Sequence, residues 1–570
     1  MNYAKFRTFF PLFVVFIYFL NLVYTLNQFY SIYGVNDDYL IDTMLKGLYN
    51  NSQSVYVTYI HSLLGNFLVV LYQLFPNVPI YSLILLLLFL ISIIGTYFVA
   101  LNINKSKFFL VSATWLISSI FITNWYILNP TFTAVSILLS SFGYFYIFSI
   151  LKSKKNIKYS DFIFPIVILF LGYTIRSRGF QSSTLVWLPM LTGILLYKIW
   201  KKEINFTRRF KSKYLLLVSP ILLVFISNFF IPQDWKSFYD YNNLRQEIAN
   251  TTRSIYIQQN IDKSGLDQDE LTIFDNYTFA DQDEFGKPQL KSLIEFSNSS
   301  QGVQGFLDPV VSVEDRLLNL KRFTGLVLTF LILPIGMIIA NSRNRFSNYV
   351  SFIIITGSTF FSLYYILATG KIEERVIIPV ILNIWFIAFA LTSRTTKRLD
   401  FFSFFVFLVS SSLFFINFQS HLHEPTYFKE RSKWNQRAIT FSNQQQNFLE
   451  KLGPESIFVG PSSSIRSNWA SPYQPLSKQN INFISLGWHN FSPTWNSHNK
   501  EIFNNDQTVY QNLMKNPNVY WISDPDSSEY FFNYLKKNYN NKLNPIIVDS
   551  FGDESNDYGG IYNVYSLLVK

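Results

Sequence analysis

The chain has 570 residues, of which 49% are hydrophobic and 19% aromatic, while only 15% are charged. This composition is too apolar for an ordinary soluble enzyme and predicts a polytopic membrane protein with soluble parts. The formal net charge is +11, but the Lys and Arg residues fall in short clusters between apolar runs, which indicates membrane topology and argues against a nucleic-acid partner. There is no Cys, so disulfides and thiolate metal sites are excluded.

Apolar runs long enough to cross a lipid bilayer recur along the chain. A hydrocarbon core about 30 Å thick needs roughly 20 apolar residues per helix. The first run follows Lys5 and Arg7 without a small-residue cleavage site, so we predict an uncleaved first helix. The predicted spans lie near 8–30, 80–101, 108–127, 131–151, 162–177, 184–200, 214–231, 323–341, 348–368, 376–393 and 401–419.

One further run, at 57–75, decides the topology of everything after it. If it does not cross, the Lys and Arg clusters between the spans fall on the cytoplasmic side, as the positive-inside rule requires. These clusters lie at 5–7, 105–107, 152–158, 198–213, 343–345 and 394–398. We therefore predict that 57–75 lies in the membrane interface, behind a short amphipathic helix at 38–49. The N-terminus is then cytoplasmic, and the C-terminal region is extracytoplasmic.

The predicted fold is that of a multi-pass plasma-membrane protein with about 11 transmembrane helices and a C-terminal extracytoplasmic α/β domain. A seven-span module covers 1–231, with its first outer loop at 31–79, and a large extracytoplasmic loop covers 232–322. Four further spans cover 323–419, and the α/β domain covers 420–570. In that domain we predict helices at 444–452 and 530–539 and strands at 456–460, 481–486, 519–523, 546–549 and 561–568.

Two adjacent carboxylates, Asp37 and Asp38, follow the first apolar run. Charged side chains next to hydrocarbon are costly and tend to be functional. Carboxylates side by side raise one another's pKa, which suits one of them to act as a general base. The alternative is that Asp38 caps a helix beginning at Tyr39 and that Asp37 is solvated.

Basic residues on the outer side break the positive-inside pattern and need a separate reason to be there. Because guanidinium groups match phosphate oxygens in a fork, we predict a phosphate-binding role for them. The residues are Arg176, Arg178, Lys371 and Arg375. Snorkelling to the interface is the alternative for Arg176 and Arg178, and pairing with the neighbouring Glu residues is the alternative for Lys371.

Aromatic and polar residues that suit sugar rings occur in three outer segments. They are His61, then Trp235, Tyr239, Asn242 and Arg245, and finally Trp488. The alternatives are an ordinary polar position for His61, a membrane-interface belt for the second group, and a loop packed on the membrane module for Trp488. No metal site and no cofactor are predicted, because the His residues and the acidic run at 267–284 lack metal-ligand spacing. A divalent metal is left open.

This layout resembles the GT-C superfamily of membrane glycosyltransferases, which take sugars from polyprenyl phosphates. Members share a seven-span module whose first outer loop opens with an acidic residue and continues as two interfacial helices, and a second large outer loop follows the seventh span. Here Asp37-Asp38 holds the acidic position, 38–49 and 55–75 hold the two helices, and 232–322 holds the later loop.

Shorter motifs are also similar. Arg375 stands a few positions before Pro379, like a basic residue common at a late span of the superfamily, whereas Asn129 stands in the loop where many members carry a second acid. The chain also resembles bacterial polytopic proteins from cell-surface polysaccharide loci. That likeness rests on Ile175-Arg176, on Trp235 through Tyr241-Asn242 and Arg245, and on Gly487-Trp488 with Ser492-Pro493.

The resemblance implies an inverting membrane glycosyltransferase of cell wall biogenesis. It would transfer a sugar from a polyprenyl-phosphate donor to a cell-surface polysaccharide or lipid-linked acceptor on the extracytoplasmic face. One alternative is a polymerase or ligase of lipid-linked repeat units, and another is a non-catalytic or transport component of polysaccharide assembly. Transport would need ionisable groups near the middle of the membrane, and the predicted spans are nearly free of them.

Overall fold

A computed structural model describes the two ends of the chain and part of the large outer loop. The described residues are 3–49, 52–103, 108–153, 158, 160–200, 231–249, 252–276, 278–281, 285–301, 357, 375–376, 378–380, 427–462, 464, 469–476, 482–505, 507–552 and 561–568. Lys371 and the predicted spans at 323–341 and 401–419 lie outside the described residues, as do most of 214–231, 348–368 and 376–393.

Apolar helices form the described part of residues 3–200, at the positions where spans and interfacial helices are predicted. They are α1 Tyr3–Gln28, α2 Asn36–Lys46, α3 Ser62–Leu74, α4 Ile80–Ile103, α5 Phe108–Leu128, α6 Phe132–Ser153, α7 Ser160–Ile175 and α8 Ser177–Trp200. Within the described residues, Phe9–Gln28, Ile80–Ile103 and Phe132–Lys152 are long and apolar enough to cross a membrane. Large apolar side chains on α1 are open to the surroundings, with Phe9 61% and Phe13 56% exposed, which suits contact with lipid.

Helix α6 forms the centre of this bundle and packs against α4, α7 and α8. Within the candidate span Phe132–Lys152, 94% of an apolar 18-residue window is buried inside the protein. Small residues allow the close approach of α6 and α7, because a Cβ added at Gly172 would meet Ser140 Oγ at 2.2 Å. The described part of the bundle therefore has a packed helical core around α6.

Helices α2 and α3 lie within 31–79, the segment predicted to be the first outer loop. Helix α3 has 13 residues, which at 1.5 Å per residue gives about 20 Å, too short for a hydrocarbon core of about 30 Å. Helix α2 begins at Asn36, and its N-cap Val35 makes no side-chain cap hydrogen bond. The alternative role of Asp38 as an N-cap is therefore wrong, since Asp37 and Asp38 both lie inside the first turn.

The described part of 232–322 is helical and shares a hydrophobic core with the C-terminal domain. Its helices are α9 Gln233–Ala249, α10 Thr252–Gln259, α11 Ile261–Ser264, α12 Gln268–Asp275 and α13 Lys287–Gln301. Phe274 and Phe285 belong to the same buried cluster as Trp521. Lys537 of the C-terminal domain binds both Asp267 and Glu270, which form a capping box at the start of α12.

The C-terminal region is an α/β domain around a five-stranded sheet of order β2-β1-β3-β5-β4. Its elements are α14 Tyr427–Glu450, β1 Ile457–Pro461, β2 Asn482–Leu486, α15 Pro493–Phe503, α16 Val509–Lys515, β3 Val519–Ser523, α17 Pro525–Asn538, β4 Ile546–Phe551 and β5 Tyr562–Ser566. Strand β1 pairs in parallel with β2 and β3, and β5 pairs antiparallel with β3 and β4. Every predicted strand is present.

The predicted fold class, a polytopic α-helical membrane protein with a C-terminal α/β domain, is confirmed. Two details of the domain differ from the prediction. The predicted helix at 444–452 is only the end of the longer α14, and α15 and α16 were not predicted. The side of the membrane on which this domain lies stays a prediction.

The start of the first outer loop pairs with the connection between α5 and α6. The N–H of Ile32 donates to the carbonyl of Leu128 (3.3 Å), and the N–H of Gly34 donates to the carbonyl of Pro130 (3.1 Å). A Cβ added at Gly34 would lie 2.3 Å from Thr131 Cγ2 and 2.9 Å from the carbonyl oxygen of Asn129. This contact places the beginning of α2 beside the beginning of α6.

We expect Gly34→Ala to destabilise the protein by about 2 kcal/mol, because the new methyl group overpacks this contact. Thermal unfolding in detergent, followed by Trp fluorescence, measures the change. Thr131→Ser removes the Cγ2 atom that the methyl group meets, so the double variant Gly34→Ala/Thr131→Ser should recover part of the loss. A single Gly34→Ala variant as stable as the wild type would contradict this contact.

Candidate active site

Asp38 lies in the first turn of α2 and is only 1% exposed. Its Oδ1 accepts hydrogen bonds from the hydroxyl of Tyr81 (2.6 Å) and from the backbone N–H of Phe132 (3.1 Å). Its Oδ2 is also buried and has no hydrogen-bond partner among the described residues. A buried carboxylate oxygen without a hydrogen-bond donor lowers the stability of the protein. Asp38 is therefore a candidate for a catalytic role rather than a structural one.

The pKa of Asp38 is raised towards neutral pH. Burial raises the pKa of Asp38 to about 7. The hydrogen bonds from Tyr81 and Phe132 and the charge of Arg375 oppose this rise in pKa, while the charge of Asp37 adds to it. A general base is most effective when its pKa lies near the working pH, and Asp38 meets that condition.

A second buried carboxylate, Asp42, lies one turn further along α2 and was not predicted. Its Oδ2 accepts from the hydroxyl of Tyr33 (2.5 Å), and its Oδ1 accepts from the hydroxyl of Tyr72. The Tyr72 hydroxyl in turn accepts from the backbone N–H of Tyr81 (3.0 Å). Burial raises the pKa of Asp42 to about 6. The spacing of four residues, which puts Asp38 and Asp42 on one helix face, is the signal that could have found it.

Arg176 lies between α7 and α8 and faces the first turn of α6. Its guanidinium group lies over the rings of Phe132 (4.8 Å) and Tyr59 (5.3 Å) and donates to Thr133 Oγ1. Its backbone carbonyl accepts a hydrogen bond from Ser136 Oγ (2.8 Å). Phe132 therefore contacts both Asp38, through its N–H, and Arg176, through its ring.

The predicted charged residues interact with one another in the structure. Arg375 interacts electrostatically with both Asp38 and Arg176, and Asp37 also interacts with both. Arg176 also interacts electrostatically with Arg178. Arg178 is exposed in the first turn of α8. The structure thus brings together two acids and two arginines that the sequence places up to 338 positions apart.

The ring of Tyr59 lies beside the guanidinium group of Arg176. Tyr59 was not predicted to be a site residue. Its backbone is left-handed, with φ of 77°, which is rare for a residue with a side chain and is found more often at functional sites. Its ring lies 5.9 Å from that of Phe132 and 5.3 Å from that of Trp488. Gln246 of α9 donates to its hydroxyl (3.4 Å). Trp488, predicted to bind sugar, is therefore next to the residues around Arg176.

The other residues predicted to contact sugar make packing or capping contacts. Trp235 is 6% exposed and stacks on Tyr56 at 5.7 Å. Its ring also lies 5.7 Å from that of Tyr239. Asn242 and Arg245 are buried and pair with each other, with Arg245 Nη2 donating to Asn242 Oδ1 (2.7 Å). A role in sugar binding stays a prediction for all of them.

His61 is the N-cap residue of α3. Its Nδ1 accepts a hydrogen bond from the N–H of Leu63 (3.3 Å), and its own N–H donates to the carbonyl of Thr174 (2.8 Å). These bonds fix the start of α3 against the end of α7, close in sequence to Arg176. An acceptor-binding role for His61 stays a prediction. Within the described residues, no group of three or more His, Asp or Glu side chains is arranged to hold a metal ion.

Helix α14 of the C-terminal domain contacts the residues that follow α1 and the end of α5. Arg431 Nη2 donates to Asn129 Oδ1 (2.9 Å). Asn435 Nδ2 donates to the carbonyls of Tyr30 (2.8 Å) and Leu128 (3.0 Å). Ser432 Oγ accepts from the N–H of Tyr30 (2.8 Å). Polar residues at 431, 432 and 435 share one face of α14, and that pattern is the signal for this contact.

Comparison with solved structures gives a likeness that covers nearly the whole chain. No protein-family model matches the sequence, and no curated protein matches it. The crystal structure of ArnT from Cupriavidus metallidurans in the apo state is similar, with 12% sequence identity, a TM-score of 0.38 and coverage of 98% of each of the two chains.

Proposed function

We propose that the protein is a membrane glycosyltransferase of the GT-C type. It transfers a sugar from a polyprenyl-phosphate donor to a polysaccharide or lipid-linked acceptor on the extracytoplasmic face. The observation that supports this most strongly is the buried Oδ2 of Asp38, which has no partner among the described residues. Asp38 interacts electrostatically with Arg375, which in turn interacts with Arg176. Sugar transfer from a lipid phosphate needs a base for the acceptor proton and cations for the departing phosphate, and this arrangement offers both.

In the proposed reaction, the acceptor hydroxyl binds at Asp38 Oδ2 and its oxygen attacks the anomeric carbon of the donor sugar. Its proton passes to Asp38 Oδ2 while the bond between the anomeric carbon and the phosphate oxygen breaks. The lipid phosphate leaves with the electron pair of that bond, and Arg176 and Arg375 bind its oxygens. Attack from the side opposite the phosphate inverts the anomeric configuration. The proton on Asp38 then returns to water.

Asp38 is the proposed base, and Asp37 has a supporting role. Asp38 is 1% exposed and has a pKa near 7, whereas Asp37 is half-buried. The Oδ1 of Asp38 is held by Tyr81 and Phe132, so Oδ2 is kept in one orientation. The charge of Asp37 stabilises the charged form of Arg176. Asp37 thereby offsets part of the repulsion between Arg176 and Arg375.

The test of the function is an assay of the full-length protein in lipid nanodiscs. The donors are undecaprenyl monophosphates that carry radiolabelled glucose, galactose, mannose, arabinose or N-acetylglucosamine, with the corresponding undecaprenyl diphosphates assayed in parallel. The acceptors are octyl glycosides and a membrane extract from the source cells. We expect acceptor-dependent release of undecaprenyl phosphate from at least one donor. Transfer from diphosphate-linked donors alone would identify a polymerase or ligase instead, and no release from any donor would contradict the proposal.

The rate of transfer is expected to rise with pH, with a midpoint at about pH 7, since Asp38 acts as a base only when it is deprotonated and its pKa is about 7. Arg375 lowers the pKa of Asp38, so Arg375→Gln should move the midpoint to higher pH. Initial rates between about pH 5 and pH 9 measure both effects. A rate that does not change over this range would exclude Asp38 as the base.

A further inference from the structure

Three buried polar atoms near Asp38 are without hydrogen-bond partners in the part of the chain that the structure describes. They are Asp38 Oδ2, the hydroxyl of Tyr126 and the hydroxyl of Tyr473. Tyr126 lies near the end of α5 and is 0% exposed, and it interacts electrostatically with both Asp38 and Tyr473. The three groups therefore belong to one region rather than to three separate parts of the fold.

The cost of leaving these groups unpaired indicates a ligand. A buried hydroxyl without a partner costs about 1–3 kcal/mol, and a buried carboxylate oxygen costs more. Native proteins contain few such atoms, and each needs an explanation such as a bound polar molecule. A tyrosine hydroxyl can donate one hydrogen bond and accept others, while an ionised carboxylate only accepts. A molecule that carries hydroxyl groups satisfies all three atoms at once.

Tyr473 reaches this region because the segment 469–476 of the C-terminal domain lies on the membrane module. Lys46, at the end of α2, donates to the carbonyl of Leu476 (2.5 Å). Trp469 packs with Ile32 at the other end of the segment. Tyr473 and Leu476 contact the hydrophobic core of the helical bundle. The C-terminal domain is thus fixed in place on both sides of Tyr473.

We propose that Tyr126 and Tyr473, together with Asp38, form the acceptor subsite and that this subsite takes a saccharide with neighbouring hydroxyl groups. The proposal rests on the proposed function. The attacking oxygen has two lone pairs, and one of them must form the new bond to the anomeric carbon. It therefore donates its proton to Asp38 and accepts from one tyrosine only. The second tyrosine needs another polar atom, which an adjacent hydroxyl of the same acceptor supplies.

The test uses Tyr126→Phe, Tyr473→Phe and the double variant in the nanodisc assay, with octyl glucoside as the acceptor. Each single change should raise the KM for octyl glucoside about tenfold, because one hydrogen bond to the acceptor is lost. The KM for the undecaprenyl donor should stay within about twofold of the wild type, because Arg176 and Arg375 are intact. Without acceptor, the variants should be at least as stable as the wild type, since each removes a buried hydroxyl that has no partner among the described residues.

The matched control is Tyr18→Phe, since the hydroxyl of Tyr18 is buried in the bundle but already bonded to Thr123 Oγ1 (2.8 Å). It should lower the stability and leave the KM for octyl glucoside unchanged. If the wild type transfers sugar and the double variant keeps the wild-type KM for octyl glucoside, the acceptor subsite is overturned while the function stands. If the wild type transfers nothing from any donor, the proposed function itself fails.

Discussion

Asp38→Asn is expected to lower the kcat of sugar transfer about a thousandfold, since it removes the only group proposed to take the acceptor proton. Asn has nearly the same shape, and its carbonyl oxygen can still accept from the hydroxyl of Tyr81 and the N–H of Phe132. The variant should therefore fold and still bind the donor. Initial rates at saturating donor and acceptor, together with thermal unfolding, separate loss of chemistry from loss of structure.

Two further carboxylates serve as comparisons for Asp38. Asp37→Asn should lower kcat only about tenfold, because it removes a charge that supports Arg176 but no base. Asp240→Asn changes a carboxylate whose side chain is 75% exposed on α9, and it should leave the rate unchanged. An Asp38→Asn variant that keeps more than about a tenth of the wild-type kcat would show that the base is a different group.

Arg176→Gln and Arg375→Gln are each expected to weaken donor binding about thirtyfold, because a hydrogen bond between a charged group and a phosphate is lost. Direct binding of undecaprenyl phosphate, followed by the shift in thermal unfolding, measures this without any turnover. Arg176→Lys should rescue little, since an ammonium group has no planar face to lie over the rings of Phe132 and Tyr59 and cannot form a fork with phosphate.

Arg178→Gln is the comparison for these variants. Arg178 was predicted from the sequence to bind phosphate, but its side chain is exposed at the start of α8. An exposed charge contributes little to binding, so we expect less than about a threefold change in affinity for undecaprenyl phosphate. If Arg178→Gln has the larger effect and Arg176→Gln has none, then Arg176 is held by Thr133 for structural reasons alone.

The sequence predicts those parts of the site that depend on local signals. Asp37 and Asp38 stand out because charge next to an apolar run is rare, and Arg176 stands out because it breaks the positive-inside pattern. Which acid is buried depends on α2 beginning at Asn36 rather than at Tyr39, a shift of three residues that sequence patterns do not resolve. That shift turns Asp38 towards Tyr81 and α6.

Other parts of the site depend on contacts between distant segments, which a single sequence does not reveal. Arg431 binds Asn129, a residue 302 positions away, and Tyr59 meets Trp488 of the C-terminal domain. Helix α15 had a local signal that was not used. Ser492 caps its N-terminus and Pro493 occupies its first turn, which is a typical helix start, but no helix was predicted there.

Aromatic composition alone does not distinguish a sugar platform from a protein core. Trp235 and Tyr239 carry the same side chains as a carbohydrate site, yet Trp235 packs on Tyr56 within the core shared with the C-terminal domain. Trp488, with a similar sequence context, lies against Tyr59 near Arg176. The difference comes from tertiary packing rather than from either sequence neighbourhood.

Phe132 holds Asp38 with its backbone N–H and supports Arg176 with its ring. One residue at the start of a buried helix therefore contacts both the proposed base and a proposed phosphate-binding arginine, which limits the distance between the two. The two contacts are also independent, because the N–H belongs to the backbone and the ring to the side chain. Replacing the ring with a smaller group would remove the support of Arg176 while leaving the hydrogen bond from the backbone N–H to Asp38 in place.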